Sequence, residues 1–128
     1  MIVDSSALMA VINDQPEAVH LLHILASTPG QISVATWLEL CIVADSRSAA
    51  HGERLDAVMR SLEFELVPVT VRHADVARLA HRRFGRGSGS RARLNYGDCF
   101  AYALSVVAGE PLLFVGEHFT HTDVASAD

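Results

Sequence analysis

The chain has 128 residues, of which 50% are apolar and 20% charged, and its formal net charge is −5. This length and composition predict a single domain spanning residues 1–128 and argue against intrinsic disorder. The acidic balance excludes a globally basic nucleic-acid footprint, so any contact with nucleic acid must come from a local patch or through metal ions. All ten basic residues are arginine, which disfavours phosphate chemistries that depend on a lysine.

The cysteines and the N-terminal residues indicate the compartment. Cys41 and Cys99 lie within apolar helical stretches, and we expect both to be small buried residues and not disulfide partners or zinc ligands. The first residues lack a basic segment and include Asp4, and no apolar run is long enough to span a bilayer. We therefore expect a soluble cytoplasmic protein that makes no membrane contact.

Short apolar runs alternate along the chain with amphipathic segments. The predicted strands cover residues 2–3, 31–35, 65–69 and 112–115. The first predicted helix is capped by Ser5 or Ser6 and runs to Ile12. The others run from Pro16 to about residue 28, and over residues 37–48, 51–64, 71–84 and 97–108. Buried strands that alternate with helices predict an α/β fold, in which helices cover both faces of a parallel sheet.

Four acidic residues are predicted to meet at the carboxyl edge of this sheet, where open parallel sheets bind their ligands. Asp4 ends the first strand, and Glu39 lies one turn into the helix after the second. Asp98 opens the helix that leads into the fourth strand, and Glu117 follows that strand. Converging carboxylates raise one another's pKa, and a divalent cation such as Mg²⁺ removes this penalty. The cluster therefore predicts metal-assisted phosphodiester hydrolysis.

Each acid also has a purely structural interpretation. Thr36 and Glu39 have the spacing of a helix capping box, and so do Asn95 and Asp98, which places an acid beside a helix dipole. Asp4 is harder to explain in this way, because a carboxylate at the end of a buried strand is costly unless it is hydrogen-bonded or metal-bound. The glutamate after the fourth strand is compatible with ordinary solvation.

Several motifs together resemble the PIN-domain ribonucleases, in particular the VapC-type toxins of bacterial toxin–antitoxin pairs. The motifs are Met-Ile-Val-Asp-Ser-Ser-Ala-Leu at residues 1–8, Ala-Thr-Trp-Leu-Glu at 35–39, Val-Pro-Val-Thr at 67–70, Asn-Tyr-Gly-Asp-Cys-Phe-Ala-Tyr-Ala-Leu at 95–104 and Pro-Leu-Leu-Phe at 111–114. The resemblance covers nearly the whole chain, and the fourth motif followed by the fifth is its most specific part.

The resemblance implies a three-layer α/β/α fold with a mainly parallel sheet. It also implies endoribonuclease activity that depends on Mg²⁺ or Mn²⁺, a tight complex with a small VapB-like antitoxin, and a homodimer. By this match Asp4 and Asp98 are the principal metal ligands, and Glu39 is the third acid. Ser6 takes the place of a family hydroxyl near the site.

The chain departs from the family pattern at the fourth acid. Family members usually carry an aspartate directly before the phenylalanine that follows the last core strand, and this chain has His118 before Phe119. Either Glu117 or Asp123 can substitute as a metal ligand, or the site binds its second metal weakly or not at all. The alternative function is a PIN-like protein with a degraded metal site that acts by binding RNA or a partner.

Five of the ten arginines fall within residues 82–93, namely Arg82, Arg83, Arg86, Arg91 and Arg93. One interpretation is a solvated, flexible loop. The other is a rim that contacts RNA phosphates, or that docks carboxylates of an antitoxin. A phosphoacceptor receiver or an aspartyl phosphatase is a further alternative for an acid at a strand end, but both normally rely on a lysine that this chain lacks.

Overall fold

The computed structural model describes all 128 residues. Its strands are β1 (Ile2–Val3), β2 (Gly30–Ser33), β3 (Phe64–Val67) and β4 (Leu112–Leu113). Its helices are α1 (Ser5–Ile12), α2 (Ala18–Ser27), α3 (Val34–Arg47), α4 (Ala49–Ser61), α5 (Val71–Phe84) and α6 (Tyr96–Ala108). A short 3₁₀ turn, Phe119–His121, follows β4. No helix has the length and hydropathy needed to cross a membrane.

The four strands form one sheet in the order β3-β2-β1-β4, and every neighbouring pair is parallel. The α/β fold and the parallel sheet predicted from the sequence are therefore confirmed. In a parallel sheet all carboxyl ends lie at the same edge. The first residues after β1 and the first turn of α3 after β2 consequently start from a common edge.

Side-chain alternation in the neighbouring strands β1 and β4 divides the core into two apolar layers. Val3 and Leu113 face the layer made by α1, α2, α3 and α4, whereas Ile2 and Leu112 face the layer made by α5 and α6. All four side chains are fully buried, because successive residues of a strand point to opposite faces and helices cover both. The predicted three-layer arrangement is confirmed.

Three predicted strands were too long, and the pairing of the sheet explains why. The third strand ends at Val67, not at residue 69, because a proline follows it. The second strand ends at Ser33, not at residue 35, because its partner β3 ends at Val67, directly before a proline that has no N–H to donate. The fourth strand covers only Leu112–Leu113, because its partner β1 is itself two residues long. Beyond it, the N–H of Val115 donates to a side chain, Ser6 Oγ, at 3.0 Å.

Several predicted helix starts were also wrong. The N-cap of α1 is Asp4, not either serine after it. Helix α3 begins at Val34, so Thr36 lies inside the helix and caps nothing. Helix α2 begins two residues after Pro16, and α4 spans Ala49–Ser61, where residues 51–64 were predicted. Helix α5 covers the predicted residues.

The two cysteines differ in burial. Cys99 is buried as predicted, whereas Cys41 is only partly buried and packs against the core. Neither forms a disulfide.

Candidate active site

Asp4 is a buried carboxylate at the junction of β1 and α1. Its side chain is the N-cap of α1 and only 4% of the residue is exposed. Asp4 Oδ2 accepts the N–H of Ser6 at 2.9 Å and the Ser6 hydroxyl at 2.6 Å. Burial nevertheless raises the pKa of Asp4, and the charge of Asp98 raises it further, although the Ser6 hydrogen bonds act in the opposite direction.

The Ser6 hydroxyl links the carboxyl ends of β1 and β4. It donates to Asp4 Oδ2 and accepts the N–H of Val115 from the segment after β4. This contact bridges 109 positions of sequence. Ser6 therefore fixes the position of the Asp4 carboxylate relative to the residues that follow β4.

Glu39 projects toward the same edge from the second turn of α3 and is half-buried. Burial raises the pKa of Glu39, and the charges of Asp4 and Asp98 raise it further. The predicted capping box with Thr36 is absent, because Thr36 lies inside the helix and its buried hydroxyl has no hydrogen-bond partner. Helix capping therefore does not explain Glu39, whereas its proximity to the two aspartates fits a role in the site.

Gly97 gives the Glu39 carboxylate its space, a role that the sequence did not reveal. A Cβ atom placed on Gly97 would lie 2.7 Å from Glu39 Cδ and closer still to Glu39 Oε2. Real Cβ atoms do not approach other atoms so closely. The small residue before Asp98 thus allows α6 to pack directly against the acid on α3.

Asp98 lies in the first turn of α6, where it takes part in the helix cap and also contributes a negative charge to the site. Its Oδ2 accepts the N–H of Asn95 at 2.9 Å, and its own N–H donates to Asn95 Oδ1 at 2.8 Å. The predicted capping box is therefore present. The side chain is 14% exposed, and its charge reaches both other acids, since it raises the pKa of Asp4 and of Glu39.

No strong protein cation compensates this cluster of three carboxylates. Neither Asp4 nor Glu39 forms a salt bridge, and Asp98 has only His118 as an ionic partner. Like charges that converge in a partly buried site are unfavourable unless protons or a bound cation neutralise them. The cluster therefore provides a site suited to a positively charged ligand.

The donor set suits a hard divalent cation. It consists of carboxylate oxygens, which Mg²⁺ and Mn²⁺ prefer, with no thiolate among them. In this conformation no group of three His, Cys, Asp or Glu side chains is close enough to coordinate one metal ion together. Mg²⁺ is commonly held by one or two carboxylates and retains several waters, so Asp4 and Asp98 would suffice, with Glu39 beside them.

The other acids considered from the sequence lie apart from this cluster. Glu117 is exposed, and its charge is not among the causes that raise the pKa of Asp4 or Glu39. Asp123 accepts the hydroxyl of Tyr102 at 2.7 Å and pairs with Arg83 at 2.8 Å. Those contacts lower the pKa of Asp123, so this acid has a structural role elsewhere.

The arginine-rich segment consists of the last turn of α5, which carries Arg82 and Arg83, and the loop that follows it. Residues 85–94 close on themselves through hydrogen bonds from Arg86 N to Leu94 O and from Leu94 N to Phe84 O. Ala92 and Leu94 are fully buried and anchor the loop to the core. The loop leads directly into Asn95, which caps α6, the helix that carries Asp98. Four of the five arginines have exposed side chains without an ionic partner: Arg82, Arg86, Arg91 and Arg93.

Comparison with known proteins places the chain in a family. Residues 1–125 match the PIN domain family. The chain therefore belongs to the PIN-domain family.

Similar proteins indicate which group within the PIN-domain family the chain resembles. Ribonuclease VapC of Mycolicibacterium smegmatis is 48% identical over 128 residues, which cover 98% of both chains. VapC20 of Mycobacterium tuberculosis, a toxin that cleaves the sarcin-ricin loop, has a TM-score of 0.75 at 17% identity over 98% of this chain and 97% of its own. A chain of a toxin–antitoxin complex from Klebsiella pneumoniae has a TM-score of 0.70 at 16% identity over 95% of this chain and 92% of its own. Within the PIN-domain family, the relationship is thus to the VapC ribonucleases.

Proposed function

We propose that this chain is the toxin of a toxin–antitoxin pair, a metal-dependent endoribonuclease that acts in the cytoplasm. The observation that carries the proposal is the convergence of Asp4, Glu39 and Asp98 at the carboxyl edge of the sheet without a strong protein cation. The full-length similarity to ribonuclease VapC supports RNA as the substrate.

Each acid has a distinct proposed role. Asp4 and Asp98 use one oxygen, Oδ2, for hydrogen bonds within the protein, and no protein hydrogen bond occupies their Oδ1 atoms. These two Oδ1 atoms are the proposed ligands of Mg²⁺ or Mn²⁺. When bound, such an ion activates water and stabilises the charge that develops on a phosphodiester.

Glu39 is the proposed proton acceptor. A general base works best when its pKa lies near the operating pH, and both burial and the neighbouring aspartates move the pKa of Glu39 upward in that direction. Ser6 is proposed as a positioning residue, because its hydroxyl donates to one oxygen of the Asp4 carboxylate and leaves the second oxygen free.

The exposed arginines of the loop and of the last turn of α5 are proposed to contact RNA phosphates. A chain of net charge −5 needs a local cationic surface to approach RNA, and arginine binds phosphate through bidentate hydrogen bonds. We assign Arg82, Arg86, Arg91 and Arg93 to this surface. Arg83 is less available, because it pairs with Asp123 and lies over the Phe84 ring.

Two protein partners belong to the proposal. The solved Klebsiella pneumoniae toxin–antitoxin complex supports a VapB-like antitoxin as the regulator. A second copy of the chain is proposed to cover the outer face of α3, where Leu38, Ile42 and Val43 are exposed beside a groove of about 330 Å³. Such an isologous contact buries the same apolar surface on both subunits.

Asp98→Asn tests the site. The asparagine keeps an oxygen that accepts the Asn95 N–H but removes the charge, so RNA cleavage with Mg²⁺ or Mn²⁺ should be lost while the chain stays folded by circular dichroism. EDTA should abolish the parent's activity. Cleavage by the variant at the parent's rate would refute the assignment.

A second candidate function is a PIN-domain protein that binds RNA or a partner without cleaving RNA. His118 favours it, since an imidazole occupies the position at which the resemblance implies a fourth acid. Calorimetric titration separates the two functions. Absence of Mn²⁺ binding at millimolar concentration, together with retained RNA binding, would support the binding protein.

A further inference from the structure

Position 118 carries a histidine where an acidic metal ligand was expected, and the structure gives this side chain a defined contact. His118 directly precedes the 3₁₀ turn, and its Nδ1 lies 3.1 Å from Asp98 Oδ2. The ring is 49% exposed. The residue that replaces the expected acid therefore contacts one of the two proposed metal ligands.

The direction of this hydrogen bond follows from the chemistry of the two groups. A carboxylate oxygen can only accept, so the Nδ1 atom that faces it carries the proton. Asp98 Oδ2 already accepts the N–H of Asn95. Two protein donors therefore hold this oxygen, and the carboxylate's free oxygen is Oδ1.

Asp4 shows the same division of its oxygens. Its Oδ2 accepts two donors from Ser6, and its Oδ1 has no hydrogen bond. Each aspartate thus presents one free oxygen, whereas His118 contributes a donor and no negative charge. Sites that hold two metal ions about 3.5–4 Å apart need enough anionic ligands to offset the repulsion between the ions. Three carboxylates supply less negative charge than four.

We propose that His118 restricts the site to one divalent cation, and that it acts as a positioning residue which orients Asp98 by donating from Nδ1. Asp4 and Asp98 would hold this ion through their free oxygens. This inference rests on the proposed metal-dependent function and specifies how many ions that function uses.

Titration calorimetry with Mn²⁺ on the full chain tests the proposal through stoichiometry and affinity, neither of which requires turnover. The parent should bind one Mn²⁺ per chain. His118→Asp should add a second binding event, because it restores a fourth carboxylate. His118→Ala should keep one event but weaken it by about tenfold to a hundredfold, as expected for loss of an outer-shell partner.

His118→Asn separates positioning from a general structural role. The asparagine amide can donate from nearly the position of Nδ1, so this variant should bind one Mn²⁺ with close to the parent's affinity. His121→Asp is the matched control, since it adds the same charge three residues further on and should leave the stoichiometry at one. Circular dichroism of each variant excludes unfolding as the cause.

The outcomes separate this inference from the proposed function. Two Mn²⁺ ions bound by a parent that cleaves RNA would overturn the inference and leave the function intact. A single event in folded His118→Asp, or equal weakening by the asparagine and alanine variants, would also overturn it. One Mn²⁺ bound by a parent that cleaves no RNA would instead overturn the proposed function, and no Mn²⁺ binding would overturn both.

Discussion

Replacing Gly97 by alanine should lower ribonuclease activity without destabilising the fold. The added Cβ would lie 2.7 Å from Glu39 Cδ, so the carboxylate must move. The cost to folding is small, because the clash involves the far end of a flexible side chain and no backbone atom. Glu39 is half-buried but has no salt bridge that would be broken by this movement.

The effects of Gly97→Ala on stability and on the cleavage rate differ in sign and in size. Within a helix, alanine is more favourable than glycine by about 0.5–1 kcal/mol, so the free energy of unfolding should stay unchanged or rise slightly. A displacement of a reacting group by about 1 Å can lower the rate on the order of 100-fold. At about 1.4 kcal/mol for each factor of ten, this is close to 3 kcal/mol of transition-state stabilisation.

The assay compares initial rates of RNA cleavage in Mn²⁺ with the midpoint of thermal unfolding for the same preparations. Gly52→Ala is the matched control. Gly52 lies in α4, and a Cβ placed there would meet the Asp45 carboxylate in the same manner but away from the acid cluster. The control should leave the cleavage rate unchanged.

A double-mutant cycle shows whether Gly97→Ala acts through Glu39. In a Glu39→Ala background the clash disappears, so adding Gly97→Ala should produce little further loss of activity. A full additional loss in that background would refute the reasoning, since it would place the effect outside the contact between the two residues. An undiminished rate in the single Gly97→Ala variant would refute it as well.

Three further outcomes are expected. Asp4→Asn should stabilise the metal-free protein at neutral pH, because the pKa of Asp4 is raised from 3.8 on folding, so its ionisation costs stability from that pH upward and costs most above the raised pKa. Thermal melts should show this gain in EDTA, lose it below about pH 3, and show a smaller gain when Mn²⁺ replaces EDTA. Arg86→Ala and Arg91→Ala should each weaken RNA binding to a similar extent for all sequences, and should lower the slope of log K against log salt concentration by about 0.7 for single-stranded RNA. If the slope is unchanged and antitoxin binding is weakened, the loop contacts the antitoxin instead. Light scattering should show a monomer for Ile42→Glu and a dimer for Val71→Glu, which changes an exposed apolar position on α5. A dimer in both variants would place the interface elsewhere.

The fold was predictable because apolar runs and amphipathic segments alternate regularly, but the ends of the elements were not. A strand continues only while a neighbour offers hydrogen bonds, and this depends on residues far away in sequence. Val34 is β-branched and was assigned to a strand, yet β3 has already ended opposite it, and the chain turns into α3. The predicted cap at Thr36 was wrong for the same reason, since the helix had already begun.

The site was predictable to a different degree for each residue. Asp4, Glu39 and Asp98 follow from the rule that carboxyl ends of parallel strands share an edge. Their proximity is consistent with the charge of Asp98, which raises the pKa of both Asp4 and Glu39. The importance of Gly97 was not predictable, because it depends on how closely α6 packs against α3. The contact between His118 and Asp98 required the path of the chain after β4.

The structure also shows that helix capping and metal binding are not competing explanations for the two aspartates. Asp4 caps α1 and Asp98 completes the cap of α6, and in both cases one carboxylate oxygen serves the backbone while the other is left free. The positive ends of the two helix dipoles partly offset the repulsion between the carboxylates. Residue type and spacing suggest a cap, but they do not show which oxygen the cap uses. Because a single oxygen is sufficient for capping, each aspartate can hold its helix in place and still offer a ligand to a divalent ion.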